Sequence, residues 1–148
     1  QAGLDGSMIK ANERGENWFG YYWAPTLNIG KYGMKLMPFG VPFAGSENWD
    51  GCISLPEAEC ADPQVSGWVE SRVNTVLSED FKNNADPMAM EYFENRIYPG
   101  QVMGQMLVWM DDNQAGGADA TTYFLQTYPE VWKGWVDDET AAAVEAAM

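Results

Sequence analysis

Hydrophobic residues near the start of the chain recur with the period of an α-helix. Leu4, Met8 and Ile9 fall on one helical face, and the pattern ends near Arg14 and Gly15. This spacing predicts a short first helix.

Three later stretches have the composition of β-strands. Residues 18–23 are an aromatic run that Pro25 halts, which is typical of a buried strand. A second short strand is predicted over 35–39, and β-branched residues mixed with charges predict a third over 69–81. Together these stretches predict a short β-sheet.

Residues 40–67 are rich in proline and glycine and have little periodicity, which predicts a long ordered loop, here interpreted as an insertion. Cys52 and Cys60 lie in this loop without any histidine nearby. A disulfide that closes the loop is the favoured interpretation, and it indicates an oxidising compartment. Two free thiols in a cytosolic loop are the alternative.

The section 86–136 has the period of amphipathic helices. Asp86 is placed to cap a helix that begins at Pro87, and Asp119 is placed to cap a later one. Residues 137–148 are rich in alanine and predict either a solvent-facing helix or a frayed tail. Four residues of this section recur at helical spacing and are predicted to belong to the core, namely Met103, Met106, Trp109 and Met110. The helix that Asp119 caps carries Tyr123, Phe124 and Leu125, and the terminal turn is predicted to pack onto the domain through Trp132 and Trp135.

Composition narrows the possible functions. A chain of 148 residues fits one domain, and seven Trp, seven Tyr and six Phe exceed what a core of that size needs. Some of the rings are therefore expected to face a ligand or a partner. The formal net charge of -14 would repel phosphate backbones and anionic lipid headgroups, which argues against nucleic-acid and membrane binding.

Catalytic machinery is sparse. The sequence has no histidine, so no imidazole base is present for a serine or cysteine nucleophile and no typical zinc site is expected. A pair of carboxylates, as in glycoside hydrolysis, is the remaining catalytic possibility, but nothing in the spacing of the acidic residues brings two of them together. We therefore predict a binding protein that is not an enzyme and that needs no cofactor or metal.

The aromatic run at 18–23 is the strongest candidate binding feature. On a strand, Tyr21 and Trp23 would share one face and Tyr22 would take the other. Aromatic faces attract a quaternary ammonium group, and each ring contributes roughly 0.5 to 2 kcal/mol. Trp23 is therefore predicted to contact a ligand, and Tyr21 and Tyr22 are further candidate ligand-binding residues. Trp49, in the loop, is predicted either to line a cation site or to anchor the loop.

The order of these features resembles a known family. A short helix that leads to an aromatic strand ending in Trp23-Ala24-Pro25 is similar to the second hinge strand of the glycine betaine, choline and proline betaine binding proteins of ABC importers. The resemblance covers residues 1–136. It is strengthened by the helical segments 89–97, 104–111, 118–125 and 128–135.

The resemblance implies an α/β fold, namely a partial periplasmic-binding-protein-like (type II) lobe with a short β-sheet packed by several helices and a helical C-terminal section. It also implies a periplasmic or extracytoplasmic location. The implied ligand is a small quaternary-ammonium solute in an aromatic box that includes Trp23, and the implied partners are the membrane subunits of an ABC transporter. Family members usually carry a histidine after the proline, associated with the ligand's carboxylate; here Thr26 or the amide of Asn28 would donate in its place.

Binding proteins of this kind are about twice as long as this chain, in line with two lobes of ordinary domain size. The chain is therefore expected to be a single-domain C-terminal segment that holds one wall of a cleft, and its exposed edges and apolar faces would favour a homodimer. Two other functions stay open. One is a stand-alone interaction module derived from such a protein, and the other is a carbohydrate-binding module, which would consist of many short strands.

Overall fold

The structure, a computed structural model, describes residues 2–69 and 71–148. The chain divides into two compact units. The first unit consists of Gln1–Lys35 and Val76–Met148, and the second consists of Leu36–Thr75. None of the helices formed by the described residues has the length and hydropathy that crossing a bilayer requires.

The first unit is built from helices. Its helices are α1 (Ala2–Arg14), α2 (Leu27–Lys31), α4 (Glu79–Asn84), α5 (Pro87–Asn95), α6 (Gly100–Asn113), α7 (Gly117–Thr127), α8 (Pro129–Trp132), which runs into a 3-10 turn at Lys133–Trp135, and α9 (Asp138–Ala147). The second unit contains α3 (Ser46–Asn48), a π-helical turn at Trp49–Ile53 and a 3-10 turn at Glu57–Glu59.

Side-chain caps fix where several of these helices begin. The Asp86 carboxylate accepts a hydrogen bond of 2.8 Å from the backbone N–H of Met88 at the start of α5, and Asp137 accepts one of 2.6 Å from Thr140 at the start of α9. Asp119 lies inside the first turn of α7 and accepts a hydrogen bond from the N–H of Gly116, the residue before the helix. Such contacts satisfy N–H groups that have no partner within the helix.

The core of the first unit is aromatic and lies between the C-terminal helices. The Phe124 ring stacks on those of Tyr98 and Trp135, with centroid distances of 5.0 and 5.5 Å. The Trp132 indole N–H is also satisfied, because it donates a 2.8 Å hydrogen bond to the carbonyl of Leu125. The buried residues that form this core are Met106, Ala120, Phe124, Trp132, Trp135 and Ala141.

Helix α2 packs closely on α6 because Gly30 has no side chain. A Cβ atom at Gly30 would lie 3.0 Å from Val108 Cγ2 and 3.1 Å from the carbonyl oxygen of Gly104. Lys31 forms an ion pair with Asp111 of α6, and its Nζ also lies 3.8 Å from Asp112 Oδ1. These contacts fix the position of α2, which carries part of the candidate site described below.

The predicted α/β class, a partial type II lobe with a short β-sheet, is wrong: residues 2–69 and 71–148 contain helices and irregular segments but no strand. Residues 18–23 are irregular, as are 35–39 and the stretch 69–78, apart from residue 70, which lies outside the described residues. A strand requires a neighbour for its N–H and C=O groups, and the aromatic run is instead attached to α1 by side chains. The many short strands expected of a carbohydrate-binding module are likewise not found in the described chain.

The second unit is held by a disulfide and by contacts between loops. Cys52 and Cys60 are bonded, which confirms the predicted disulfide. The Asn48 side chain donates a 3.2 Å hydrogen bond to the carbonyl of Gln64 and accepts one of 3.1 Å from its N–H. The backbone N–H of Gly67 donates to the carbonyl of Pro42. The loop predicted over 40–67 therefore lies entirely within the second unit, which has its own internal contacts.

Candidate ligand-binding site

Three aromatic side chains of the irregular segment 18–23 lie against one another. The Tyr22 and Trp23 rings stack with centroids 4.7 Å apart and an interplanar angle of 13°. The Tyr21 ring lies 6.2 Å from that of Trp23 at an angle of 39°. Tyr21 is 55% exposed and Trp23 is 41% exposed, so part of each ring is accessible to a ligand. We call Tyr21, Tyr22 and Trp23 the aromatic cluster.

A carboxylate from α1 lies next to the aromatic cluster. The Tyr22 hydroxyl donates a 2.5 Å hydrogen bond to Asp5 Oδ1, and Asn28 Nδ2 lies 3.3 Å from the same oxygen. Asn28 Nδ2 also donates a 3.1 Å hydrogen bond to the Tyr22 hydroxyl oxygen. Asp5, Tyr22 and Asn28 are each partly buried. These contacts join α1, the aromatic segment and α2 in one polar network.

The hydrogen bond to Asp5 changes the proton affinity of Tyr22. A phenol that donates to a carboxylate is stabilised in its protonated form, so the pKa of Tyr22 lies above its ordinary value of 10.0. Burial raises this pKa further, whereas contacts with Asn28 and Thr26 act in the other direction. Tyr22 therefore stays neutral at physiological pH and keeps its hydroxyl proton on the hydrogen bond to Asp5.

Thr26 sets the start of α2 and so the position of Asn28. Its side-chain oxygen accepts a 3.5 Å contact from the backbone N–H of Ile29, and its backbone is extended, as an N-cap residue requires. The peptide bond between Ala24 and Pro25 is cis. Thr26 thus has a role in the local fold, and its side chain also forms a hydrogen bond with the Tyr22 phenol, which acts to lower the pKa of Tyr22.

The structure brings together five of the six residues predicted for the site, namely Tyr21, Tyr22, Trp23, Thr26 and Asn28. The sixth, Trp49, belongs to the second unit. There its ring lies 4.8 Å from that of Trp68 at 64° and 6.1 Å from that of Phe43 at 57°. Trp49 is thus part of a separate group of aromatic residues within that unit.

Sequence reasoning did not find Asp5. The residue lies in the first turns of α1, 17 positions before Tyr22, and a single acidic residue there is ordinary for a helix N-terminus. Only the position of α1 beside the aromatic segment makes it part of the site. Helix α1 also contacts the aromatic segment at a second point, because the Trp18 indole N–H donates a 3.0 Å hydrogen bond to Ser7 Oγ of α1.

The first unit also contains an apolar cavity of about 410 Å³ among its C-terminal helices. Its wall includes Tyr92, Tyr98, Met106, Phe124 and Trp135, which are residues of the core or packed against it. No side-chain nitrogen or oxygen buried among the described residues lacks a hydrogen-bond partner. The cavity wall also includes Arg96 and Thr121, but it is formed mainly by residues that pack the core, so the aromatic cluster is the better candidate for a ligand site.

Comparison with known protein families gives a match over most of the chain. The model of a family described as the substrate-binding domain of ABC-type glycine betaine transport systems matches residues 1–127. No curated protein and no solved structure matches the chain. The matched range includes α1, the aromatic cluster and α2, and it extends to the last residue of α7.

Proposed function

Because the chain belongs to the family of substrate-binding domains of ABC-type glycine betaine transport systems, we propose that it binds a small quaternary-ammonium solute at the aromatic cluster. The family is one of substrate-binding proteins and not of enzymes. The family match over residues 1–127 is the observation that carries the proposal. In this role the chain acts outside the cytoplasm, where members of the family function, and delivers its solute to the membrane subunits of the transporter.

The chemistry of the aromatic cluster supports this ligand class. A quaternary ammonium has no N–H group to donate, so it is recognised by ring faces and by negative charge. Tyr21 and Trp23 offer partly exposed rings, and the stacking of Trp23 on Tyr22 holds one of them in place. Each ring that covers the cation contributes roughly 0.5 to 2 kcal/mol. A solute without a cationic group would gain none of this cation–π attraction.

The proposal is tested by calorimetry and tryptophan fluorescence with choline, glycine betaine and dimethylsulfoniopropionate. We expect heat and a fluorescence change with at least one of them, and we expect Trp23→Ala to abolish both. Phe19→Ala is the control, because Phe19 belongs to the same segment but lies outside the cluster and is 77% exposed. The proposal is refuted if the unmodified protein gives no signal with any of the three solutes, or if Phe19→Ala weakens binding as much as Trp23→Ala does.

Trp49 is a separate proposed contact. It has aromatic neighbours in the second unit, Phe43 and Trp68, and it lies between acidic residues in the sequence. If Trp49 contacts the solute, Trp49→Phe should weaken binding while leaving the disulfide intact. If it only anchors its loop, the same variant should leave the affinity unchanged.

A second candidate function, self-association or protein interaction, is favoured by the surface of the second unit. Leu36 is 93% exposed and Val73 is 97% exposed, and Met37, Phe39 and Val65 of the same unit are also more than half exposed. A large amount of exposed apolar surface is typical of interaction sites. We propose a homodimer on this basis. Light scattering over a wide concentration range should detect it, and Leu36→Ser with Val73→Ser should abolish it without affecting solute binding. A monomer at every concentration would refute it.

A further inference from the structure

We propose, resting on the proposed function, that Asp5 makes this site selective for cationic solutes without a carboxylate, of which choline is the simplest test, over zwitterionic betaines. The proposal concerns a residue outside the aromatic cluster. Asp5 acts through its negative charge and does not need to touch the solute.

The first argument is the position of the Asp5 charge. Its Oδ1 accepts hydrogen bonds from the Tyr22 hydroxyl at 2.5 Å and from Asn28 Nδ2 at 3.3 Å, which holds the carboxylate beside the aromatic cluster. None of the ion pairs formed among residues 2–69 and 71–148 involves Asp5. The carboxylate therefore accepts hydrogen bonds but forms no ion pair with a Lys or Arg side chain in the part of the chain that the structure describes.

The second argument is that most of the groups expected to hold a ligand's carboxylate already have partners within the protein. Asn28 Nδ2 contacts both Asp5 Oδ1 and the Tyr22 hydroxyl oxygen. These two oxygens are only 2.5 Å apart, so they share one N–H of the amide, and its second N–H is left for a ligand. The Thr26 side chain is engaged with the Tyr22 phenol, and its oxygen also accepts from the N–H of Ile29. Lys31, the basic residue of α2, is paired with Asp111 and Asp112. A carboxylate arriving with the ligand would find few free donors and one negative charge.

The Asp5 charge and the small number of free donors should raise the affinity for choline relative to that for glycine betaine. Choline brings a positive charge, which Asp5 and the ring faces both attract. Glycine betaine brings the same charge with a carboxylate one methylene away, and the Asp5 carboxylate repels that group. Because Asp5 is only partly buried and water screens it, we expect the difference to be about fivefold in affinity, or ~1 kcal/mol.

The test is calorimetry with choline, glycine betaine and the methyl ester of glycine betaine, which has the same skeleton without the negative charge. The unmodified protein should bind choline and the ester more tightly than glycine betaine. Asp5→Asn should bring the three affinities close together. This variant keeps an oxygen that accepts from Tyr22 and removes only the charge, so the network is preserved. Glu13→Gln is the matched control, because Glu13 is an exposed residue of the same helix and its loss changes the net charge equally.

The outcomes separate the two proposals. Glycine betaine binding as tightly as choline in the unmodified protein would overturn the role of Asp5 but leave the solute-binding function standing. An equal shift of the affinity ratio in Asp5→Asn and Glu13→Gln would also overturn it, because the effect would then come from net charge alone. Failure of all three solutes to bind would overturn the proposed function and this inference together.

Discussion

Phe124→Ala is expected to remove a large part of the stability of the first unit. Phe124 is 6% exposed, and its ring stacks on those of Tyr98 and Trp135. A buried phenylalanine ring removes roughly 150 Å² or more of apolar surface from water, and at about 25 cal/mol per Å² this contributes ~4 kcal/mol. Truncation of buried phenylalanine to alanine typically costs about 3 to 5 kcal/mol. Because a whole domain is stable by only about 5 to 15 kcal/mol, the variant should be close to unfolding.

Urea denaturation followed by far-ultraviolet circular dichroism measures the effect, since the first unit is helical. With a typical slope of about 2 kcal/mol per M, the unfolding midpoint should fall by about 2 M. Phe19→Ala is the matched control. Phe19 is 77% exposed, so the same substitution there should cost less than about 1 kcal/mol.

The comparison of the two phenylalanine variants can refute the account of the core. If Phe124→Ala costs no more than Phe19→Ala, the aromatic residues between α6, α7 and α9 do not provide the main stability of the unit. A large and equal loss for both variants would place the aromatic segment in the core instead, in conflict with the exposure of Phe19.

Three further predictions concern the packing of α2, the ionisation of Tyr22 and the disulfide. Gly30→Ala should lower the free energy of unfolding by about 1 to 3 kcal/mol, because its Cβ would lie 3.0 Å from Val108 Cγ2. Gly104→Ala should raise the free energy of unfolding, because nothing lies within 4 Å of the added Cβ and alanine favours the helix. Urea denaturation should show these changes of opposite sign. The raised pKa of Tyr22 gives stability that is complete below about pH 10 and is lost as the pH rises through the folded-state pKa, so Tyr22→Phe should lessen the fall in stability above pH 10 in the same assay. Reduction of the disulfide should speed cleavage after Glu57 and Glu59 by a glutamate-specific protease, because closing a short loop contributes roughly 2 to 3 kcal/mol; an unchanged cleavage rate would contradict this.

The helices could be predicted from the sequence because their signals are local. The spacing of Leu4, Met8 and Ile9 predicted α1, and Asp86 followed by Pro87 predicted the start of α5. A helix satisfies its own backbone within a few residues, so its pattern and caps lie next to one another in the chain. The predicted disulfide was equally local.

The strands were wrong because a strand depends on a distant partner. The composition of 18–23 fits a pleated surface, but composition does not supply the neighbour to which a strand must hydrogen-bond. In this segment, Trp18 and Tyr22 contact α1 through their side chains. The same dependence on α1 explains why the aromatic residues could be singled out from the sequence while Asp5 could not.

Asp5 has two separable roles in the candidate site. Its oxygen fixes the Tyr22 hydroxyl, and Tyr22 in turn provides the face on which Trp23 stacks. A ring already held in place costs less conformational entropy when a ligand binds, so this positioning favours every cation that the rings accept. The charge of Asp5 acts differently, because it distinguishes between solutes that carry a carboxylate and those that do not. Removal of the whole side chain would lose both effects at once, whereas replacement by asparagine keeps an acceptor for Tyr22 and removes the charge. The affinity for every solute with a cationic group should then depend on the oxygen at position 5 that accepts from Tyr22. The preference for solutes without a carboxylate should depend on the charge of Asp5.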